Sequence, residues 1–197
     1  MTDSGELVTL RDGATVLVRP MVAADGPALL AFFRGLPEED RQFLRDDVTR
    51  TEVIDRFVAN LGDDTVFSFV AEHEGRIVGD GTLHRTRHGW ATHVATIRVV
   101  VARELQRSGL GTSLARLLVK RAIGLGLDKL VAEVVDNQIG ALRAFEKLGF
   151  YQEATLKGHV KDIHGVKHDL VVMANDVSHI WETMEALVAD YSPTVGD

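Results

Sequence analysis

The chain has 197 residues, of which 45% are apolar, and its formal net charge is −7 at pH 7. This length supplies one well-packed domain and is short for two. The absence of cysteine excludes disulfides and thiolate metal sites, and the acidic balance argues against a nucleic-acid-binding protein. The first residues do not have the pattern of a signal peptide, and no apolar run has the length of a membrane span. We therefore expect a cytoplasmic protein that binds neither membranes nor nucleic acid.

The N-terminal third of the chain predicts a strand followed by helices. Residues 15–19 form a short strand that ends at Pro20, and a helix is predicted over residues 23–33. Two further helical segments are predicted over residues 38–44 and 52–61.

The middle of the chain predicts an antiparallel hairpin and a long strand. Residues 66–71 and 76–83 are strand-like and flank a turn in which Gly75 supplies the tight bend. The long strand is predicted over residues 90–101. The elements predicted after it are a helix over residues 109–124, a strand over 129–135, a helix over 140–148, strands over 151–160 and 166–173, and a helix over 177–189.

The loop between the long strand and the next helix is suited to binding an anion. Gly109 and Gly111 lie at the start of the helix, where the first backbone N–H groups have no partner within the helix. The helix N-terminus carries partial positive charge, which favours an anion there. Five cations and one anion between residues 103 and 121 make this segment about +4. We therefore expect phosphate to bind at this loop.

Two common phosphate motifs fit this loop poorly. A P-loop requires Gly-Lys-Ser/Thr, whereas Gly111 is followed by Thr112 and Ser113. A dinucleotide fingerprint requires a small residue at the position of Leu114, and its first glycine follows the strand closely. Here seven residues separate Val101 from Gly109.

Residues 106–111 read Gln-Arg-Ser-Gly-Leu-Gly, which resembles the Q/R-x-x-G-x-G/A signature of the GCN5-related N-acetyltransferase (GNAT) superfamily. The predicted element order resembles that of the superfamily over residues 16–174, and residues 140–150 resemble its helix with a Gly-Phe ending. The resemblance implies an α/β (α+β) domain over residues 14–175, with a mixed sheet of about seven strands and helices on both faces. Residues 1–13 are then a tail, and residues 176–197 an extra helix and tail.

The resemblance also implies where acetyl-coenzyme A (acetyl-CoA) binds. The strand that matches residues 97–101 splays from its neighbour, so that its backbone pairs with the pantetheine arm, while the loop amides hold the pyrophosphate. The implied cofactor-binding residues are Val99, Val101, Gln106, Arg107, Ser108, Gly109, Leu110, Gly111, Thr112, Gln138 and Phe145. The cations that could meet the 3′-phosphate are Arg103, Arg107, Arg116 and Lys120.

The chain departs from the superfamily pattern at the groups that carry protons. Phe145 stands where a tyrosine often protonates the leaving thiolate, and residues 90–101 contain no Asp or Glu. The position of the usual asparagine is ambiguous, since the alignment of residues 140–150 places Gln138 there and leaves Asn137 one place early. The resemblance therefore does not identify the general base. His93 is a candidate because the ordinary pKa of histidine is near neutrality, and Glu72 and His84 are alternatives.

Three C-terminal histidines, His159, His164 and His168, together with Asp162, suggest a metal site. They lie on both sides of a predicted turn whose strands alternate faces, so we expect no metal. The predicted function is acetyl-CoA-dependent transfer of an acetyl group to a primary amine, of a small molecule or of a protein. The alternative is a GNAT-fold module that binds acyl-CoA with little turnover. Acetyl-CoA and the amine are the expected partners, and the sequence leaves a homodimer open.

Overall fold

The computed structural model describes residues 5–177. The strands in this part of the chain are β1 (Glu6–Thr9), β2 (Thr15–Pro20), β3 (Val66–His73), β4 (Arg76–Arg85), β5 (Val94–Val101), β6 (Lys129–Val135), β7 (Tyr151–Lys161) and β8 (Lys167–Asp176). The α-helices are α1 (Gly26–Gly35), α2 (Glu38–Arg41), α3 (Thr51–Ala59), α4 (Leu110–Gly124) and α5 (Ile139–Lys147). Across the same residues, no helix is long and apolar enough to span a membrane.

All eight strands belong to one sheet, in the order β1-β2-β3-β4-β5-β6-β8-β7. The pairing is antiparallel except between β5 and β6, which run parallel because α4 crosses between them. The predicted mixed sheet with flanking helices is thus confirmed, with eight strands in place of about seven. The additional strand, β1, lies in the segment that the sequence assigned to a tail, and it pairs with β2. The helix predicted over residues 177–189 lies outside the described residues, except for its first residue.

The long strand starts later than its sequence predicts. β5 begins at Val94, whereas residues 91–93 form a turn and the Trp90 side chain is 95% exposed. Burial begins within β5, where Ala95 and Ile97 are buried, whereas residues 90, 92 and 93 are exposed. His93 therefore lies in the turn and not on the strand, which corrects the predicted bounds.

The two faces of β4 carry different layers because side chains alternate along a strand. Gly79 and Gly81 face α4, and a Cβ atom at Gly79 would lie 3.1 Å from the Leu114 side chain. These glycines allow α4 to pack closely on the sheet, where Leu110, Leu114 and Leu118 are fully buried. The opposite face of β4 lies under α1 and α3 and lines a cavity.

Candidate active site

The sheet opens between β5 and β6. The parallel pairing joins residues 94–96 of β5 to residues 129–131 of β6, and within the described chain no pairing continues beyond it. Residues 97–101 of β5, which include Val99 and Val101, therefore leave backbone groups of an inner strand without a β6 partner. Such an edge can accept an extended ligand that bears amides. The opening agrees with the splayed strand expected from the resemblance.

The loop before α4 presents several backbone N–H groups in one place. Arg107 and Gly109 have φ angles of +63° and +99°, so the chain turns sharply as it enters the helix. The Leu110 N–H donates to Ser108 Oγ at 3.3 Å. Within residues 5–177, no acceptor is found for the N–H groups of residues 107, 108, 109, 111 and 112. Free N–H groups at a helix N-terminus can hold a phosphate group, and we call residues 107–112 the cradle.

The cradle adjoins the unpaired part of β5. A Cβ atom at Gly111 would lie 3.6 Å from Val101 Cγ2 and 3.8 Å from Val99 Cγ1. One extended molecule could therefore place its phosphates on the loop and its amides along β5. Gln106 is exposed, and its side-chain amide lies 3.5 Å from the Val101 carbonyl oxygen.

The predicted phosphate-binding cations divide into two groups. Arg103 lies 3.7 Å from Asp40, so part of its charge is already paired. Arg107, Arg116 and Lys120 are exposed and have no ion-pair partner within the described chain. These three are the better candidates for a phosphate outside the cradle.

The two predicted cofactor contacts near α5 have partners within the protein. The Val135 N–H donates to Gln138 Oε1 at 3.3 Å, so this side chain closes the turn before α5. Phe145 is 9% exposed and packs edge-on against Phe150, with ring centroids 5.1 Å apart. Contact of Gln138 and Phe145 with acetyl-CoA stays a prediction.

A cavity of about 410 Å³ lies on the other face of β4 and β5, beneath α1 and α3. We call it the polar pocket, because charged side chains line its floor and one wall. Its apolar lining residues are Phe33, Leu44, Val48, Val53, Ile54, Phe57, Val66 and Val100, and its polar ones are Arg45, Asp46, Arg56, Asn60, Asp80, Thr82, His84 and Arg98. The volume lies at the lower end of the range for small-molecule sites, about 300–1,000 Å³.

Asp80 is the buried acid of the polar pocket. Its side chain is 6% exposed, and Ser68 Oγ donates a hydrogen bond to Oδ1 at 2.9 Å. Burial raises the pKa of Asp80 to about 7, although the Ser68 hydrogen bond opposes this shift. None of the described residues forms a hydrogen bond with Oδ2. The carboxyl group is therefore poised to exchange a proton near neutral pH.

Two basic residues, His84 and Arg98, line the pocket on the same face of the sheet as Asp80. His84 Nε2 lies 3.1 Å from Thr82 Oγ1, and burial, aided by Arg98, lowers its pKa to about 4. His84 is thus neutral at pH 7. Burial lowers the pKa of Arg98 as well, and repulsion from Arg45 adds to this effect, while attraction to Glu133 and Asp46 opposes it.

Two of the predicted base candidates, His93 and Glu72, do not line the polar pocket. His93 is exposed, and its carbonyl oxygen accepts hydrogen bonds from the Asp128 and Lys129 N–H groups at 2.9 and 3.1 Å. Glu72 Oε2 accepts two hydrogen bonds from Arg19, at 3.2 and 3.0 Å, and is therefore held in an ion pair. His84 is the one predicted base candidate that lines the pocket.

The C-terminal histidines do not gather around one point. His168 Nε2 lies 3.1 Å from Asp162 Oδ2, whereas His159 and His164 are exposed. Among residues 5–177, no group of three or more His, Cys, Asp or Glu side chains is arranged to hold a metal ion.

The sequence analysis named neither Asp80 nor Arg98 as a site residue, because it looked for the base among His93, Glu72 and His84. One signal was present: residues 80, 82 and 84 are polar, whereas the intervening residues 79, 81 and 83 are small or apolar. Period-two polarity in a central strand indicates a polar cavity on one face.

The cradle, the open edge of β5 and the polar pocket define a group-transfer enzyme that uses a phosphorylated, amide-bearing co-substrate. The sequence profile of the acetyltransferase (GNAT) family matches residues 30–150. The chain belongs to this family, and its reaction is acetyl transfer from acetyl-CoA to an amine.

Individual relatives agree with this assignment. The chain is 29% identical over 176 residues to the probable N-acetyltransferase YjcK of Bacillus subtilis (strain 168), covering 82% of this chain and 94% of the relative. The ribosomal-protein-alanine N-acetyltransferase structure from Brucella melitensis has a TM-score of 0.71 at 25% identity, covering 81% and 99% of the two chains. The yncA structure from Salmonella typhimurium, with its cofactor acetyl-CoA, has a TM-score of 0.70 at 19% identity and shares the fold, covering 82% and 94%.

Proposed function

We propose that acetyl-CoA binds with its pyrophosphate on the N–H groups of residues 107–112 and its pantetheine arm along residues 97–101. The acceptor amine then approaches from the polar pocket, on the other face of β5. The observation that carries this assignment is the register of β4 and β5, in which Asp80 lies directly opposite Val100. A titratable carboxyl group thereby lies beside the open stretch of β5.

Asp80 is the proposed proton acceptor. An alkyl ammonium group has a pKa near 10.4, so about one molecule in two thousand is neutral at pH 7 and a base must take the proton. The second oxygen of Asp80 is available for this step, and its pKa of about 7 suits a base that works near neutrality. The amine nitrogen forms the new C–N bond as the C–S bond of the thioester breaks. The nitrogen then loses its second proton, which passes through water to the departing thiolate, and Asp80 returns the first proton to solvent.

Asp80 fits this role better than the bases first considered from sequence. His84 lines the same pocket, but a pKa of about 4 makes it a weak base. Glu72 is paired with Arg19, and His93 lies beyond the end of β5 that is paired with β6. The presence of a poised carboxyl group also favours an enzyme over a module that only binds acyl-CoA.

The experiment is a thiol-release assay with acetyl-CoA and a panel of amines, run for the wild type and for Asp80→Asn. We expect turnover by the wild type, with kcat/KM rising through an apparent pKa near 7, and a loss of about 10²- to 10⁴-fold in the variant. Calorimetry should give the same acetyl-CoA affinity for both proteins. Binding of acetyl-CoA without turnover of any amine would instead identify a binding module.

A cytoplasmic location and a homodimer are further parts of this proposal. The absence of a spanning helix within residues 5–177 is consistent with the first. Sedimentation of the purified protein at several concentrations tests the second.

A further inference from the structure

The charges of the polar pocket are unequally paired. Arg45 forms an ion pair with Glu133, and Arg56 lies 3.9 Å from Asp46. Two of the three arginines that line the pocket therefore have an acidic side chain within 4 Å.

Arg98 is the third arginine, and among the described residues it forms no ion pair within 4 Å, although Glu133 and Asp46 attract its charge from farther away. No residue of the described chain forms a hydrogen bond with it, and no carboxylate there lies within 4 Å of it. Its residue is only partly exposed, on the floor of the pocket. A guanidinium carries five N–H donors in a planar fork that matches a carboxylate. A half-buried arginine that no carboxylate contacts directly leaves its N–H donors available for an anion supplied by a ligand.

Arg98 and Asp80 share the floor of the pocket. The register of β4 and β5 pairs Asp80 with Val100 and Thr82 with Arg98, so Asp80 and Arg98 are diagonal neighbours on one face. The Cα atoms of diagonal neighbours in an antiparallel pair lie about 7–8 Å apart. One small molecule that carries both an ammonium group and an anion can therefore contact both side chains.

We propose that the acceptor is a small amine that carries its own carboxylate, with the chemistry of a free amino acid. Arg98 binds the carboxylate through paired hydrogen bonds, and this holds the amino group at Asp80. A lysine side chain or the N-terminus of a protein has no free carboxylate next to its amine and would leave Arg98 unpaired. The cavity of about 410 Å³ is consistent with a small acceptor. This inference rests on the proposed function, because it assumes that the amine enters the polar pocket.

The test compares matched acceptors in the thiol-release assay: the standard L-amino acids, their α-amides, and dipeptides with the same first residue. For the side chain that is used best, we expect kcat/KM for the free acid to exceed that for its amide and dipeptide by about 10- to 100-fold, the range for a charge-assisted hydrogen-bond pair. Arg98→Met should remove this preference by lowering kcat/KM for the free acid alone. Arg98→Lys should restore part of it.

Arg76→Met is the matched control, because it removes a positive charge from the exposed start of β4, outside the pocket. It should keep the preference for the free acid. The inference would be overturned if the wild type acetylated amides or dipeptides with a kcat/KM equal to or above that of the free acids. This result does not depend on whether the Arg98 variants fold. If no acceptor of any kind is acetylated while acetyl-CoA still binds, the proposed function itself fails, which is a distinct result.

Discussion

Asp80 lies directly opposite Val100 in the antiparallel register of β4 and β5, so a buried carboxyl group adjoins the stretch of β5 that has separated from β6. This relationship joins the two faces of the site. The α4 face of β5 meets the phosphate cradle, and the opposite face meets the polar pocket. A thioester held along β5 would therefore be within reach of an amine held at Asp80.

The first prediction concerns the stability cost of Asp80. Burial raises the pKa of Asp80 to about 7 in the folded protein. Between about pH 4 and 7, Asp80 is therefore protonated in the folded protein and ionised in the unfolded chain. Stability should therefore fall as the pH rises through this window, by roughly 4 kcal/mol at most. Asp80→Asn should match the wild type at pH 4.5 and be more stable at pH 8.5, as measured by urea unfolding. Equal stabilities at pH 8.5 would mean that Asp80 is not buried as an acid.

The second prediction concerns Gly111 in the phosphate cradle. Gly111→Val adds a branched side chain between the start of α4 and Val101, where the co-substrate is proposed to pass. We expect the affinity for acetyl-CoA to fall at least about tenfold by calorimetry, which corresponds to about 1.4 kcal/mol.

The matched control for Gly111→Val is Gly124→Val. Gly124 belongs to the same helix, and a Cβ atom there would meet nothing within 4 Å. This variant should keep its fold and its affinity, because valine has a higher helix propensity than glycine and its side chain meets no neighbour there. A folded Gly111→Val protein with unchanged affinity would remove the cradle from the binding site.

The third prediction concerns His93, which the sequence suggested as a base. Since His93 is exposed in the turn before β5, His93→Ala should keep most of the rate and the same dependence of kcat/KM on pH. The measurement is the pH profile of thiol release between pH 5.5 and about 9, a window that spans the ordinary histidine pKa. Loss of the inflection would return the role of base to His93.

The fourth prediction concerns Phe145, which occupies the position of a tyrosine often found in the family. Its ring is buried against Phe150, so we expect a structural role. Phe145→Tyr should leave turnover similar or raise it, because the added hydroxyl could supply a proton to the thiolate. A large loss of rate with unchanged thermal stability would show that the phenyl ring shapes the acyl site.

The sequence by itself determined the parts of the protein that depend on neighbouring residues. The glycines of the loop, the period of α4 and the alternation of the hairpin strands are local signals, and they predicted the phosphate cradle and the order of the elements. The family resemblance added the open edge of β5.

Only the tertiary structure decided which polar residues meet at the site. Asp80 pairs with Ser68 across β3 and β4, and Arg98 faces the same cavity from β5. The pairing of these strands fixes which side chains share a face, and the helices above them remove water and move the pKa of Asp80. A sequence pattern specifies an alternation, but it does not say which face is covered or by what. Asp80 is the proposed base because it is buried in the pocket, and His93 is not, because it is exposed outside the pocket.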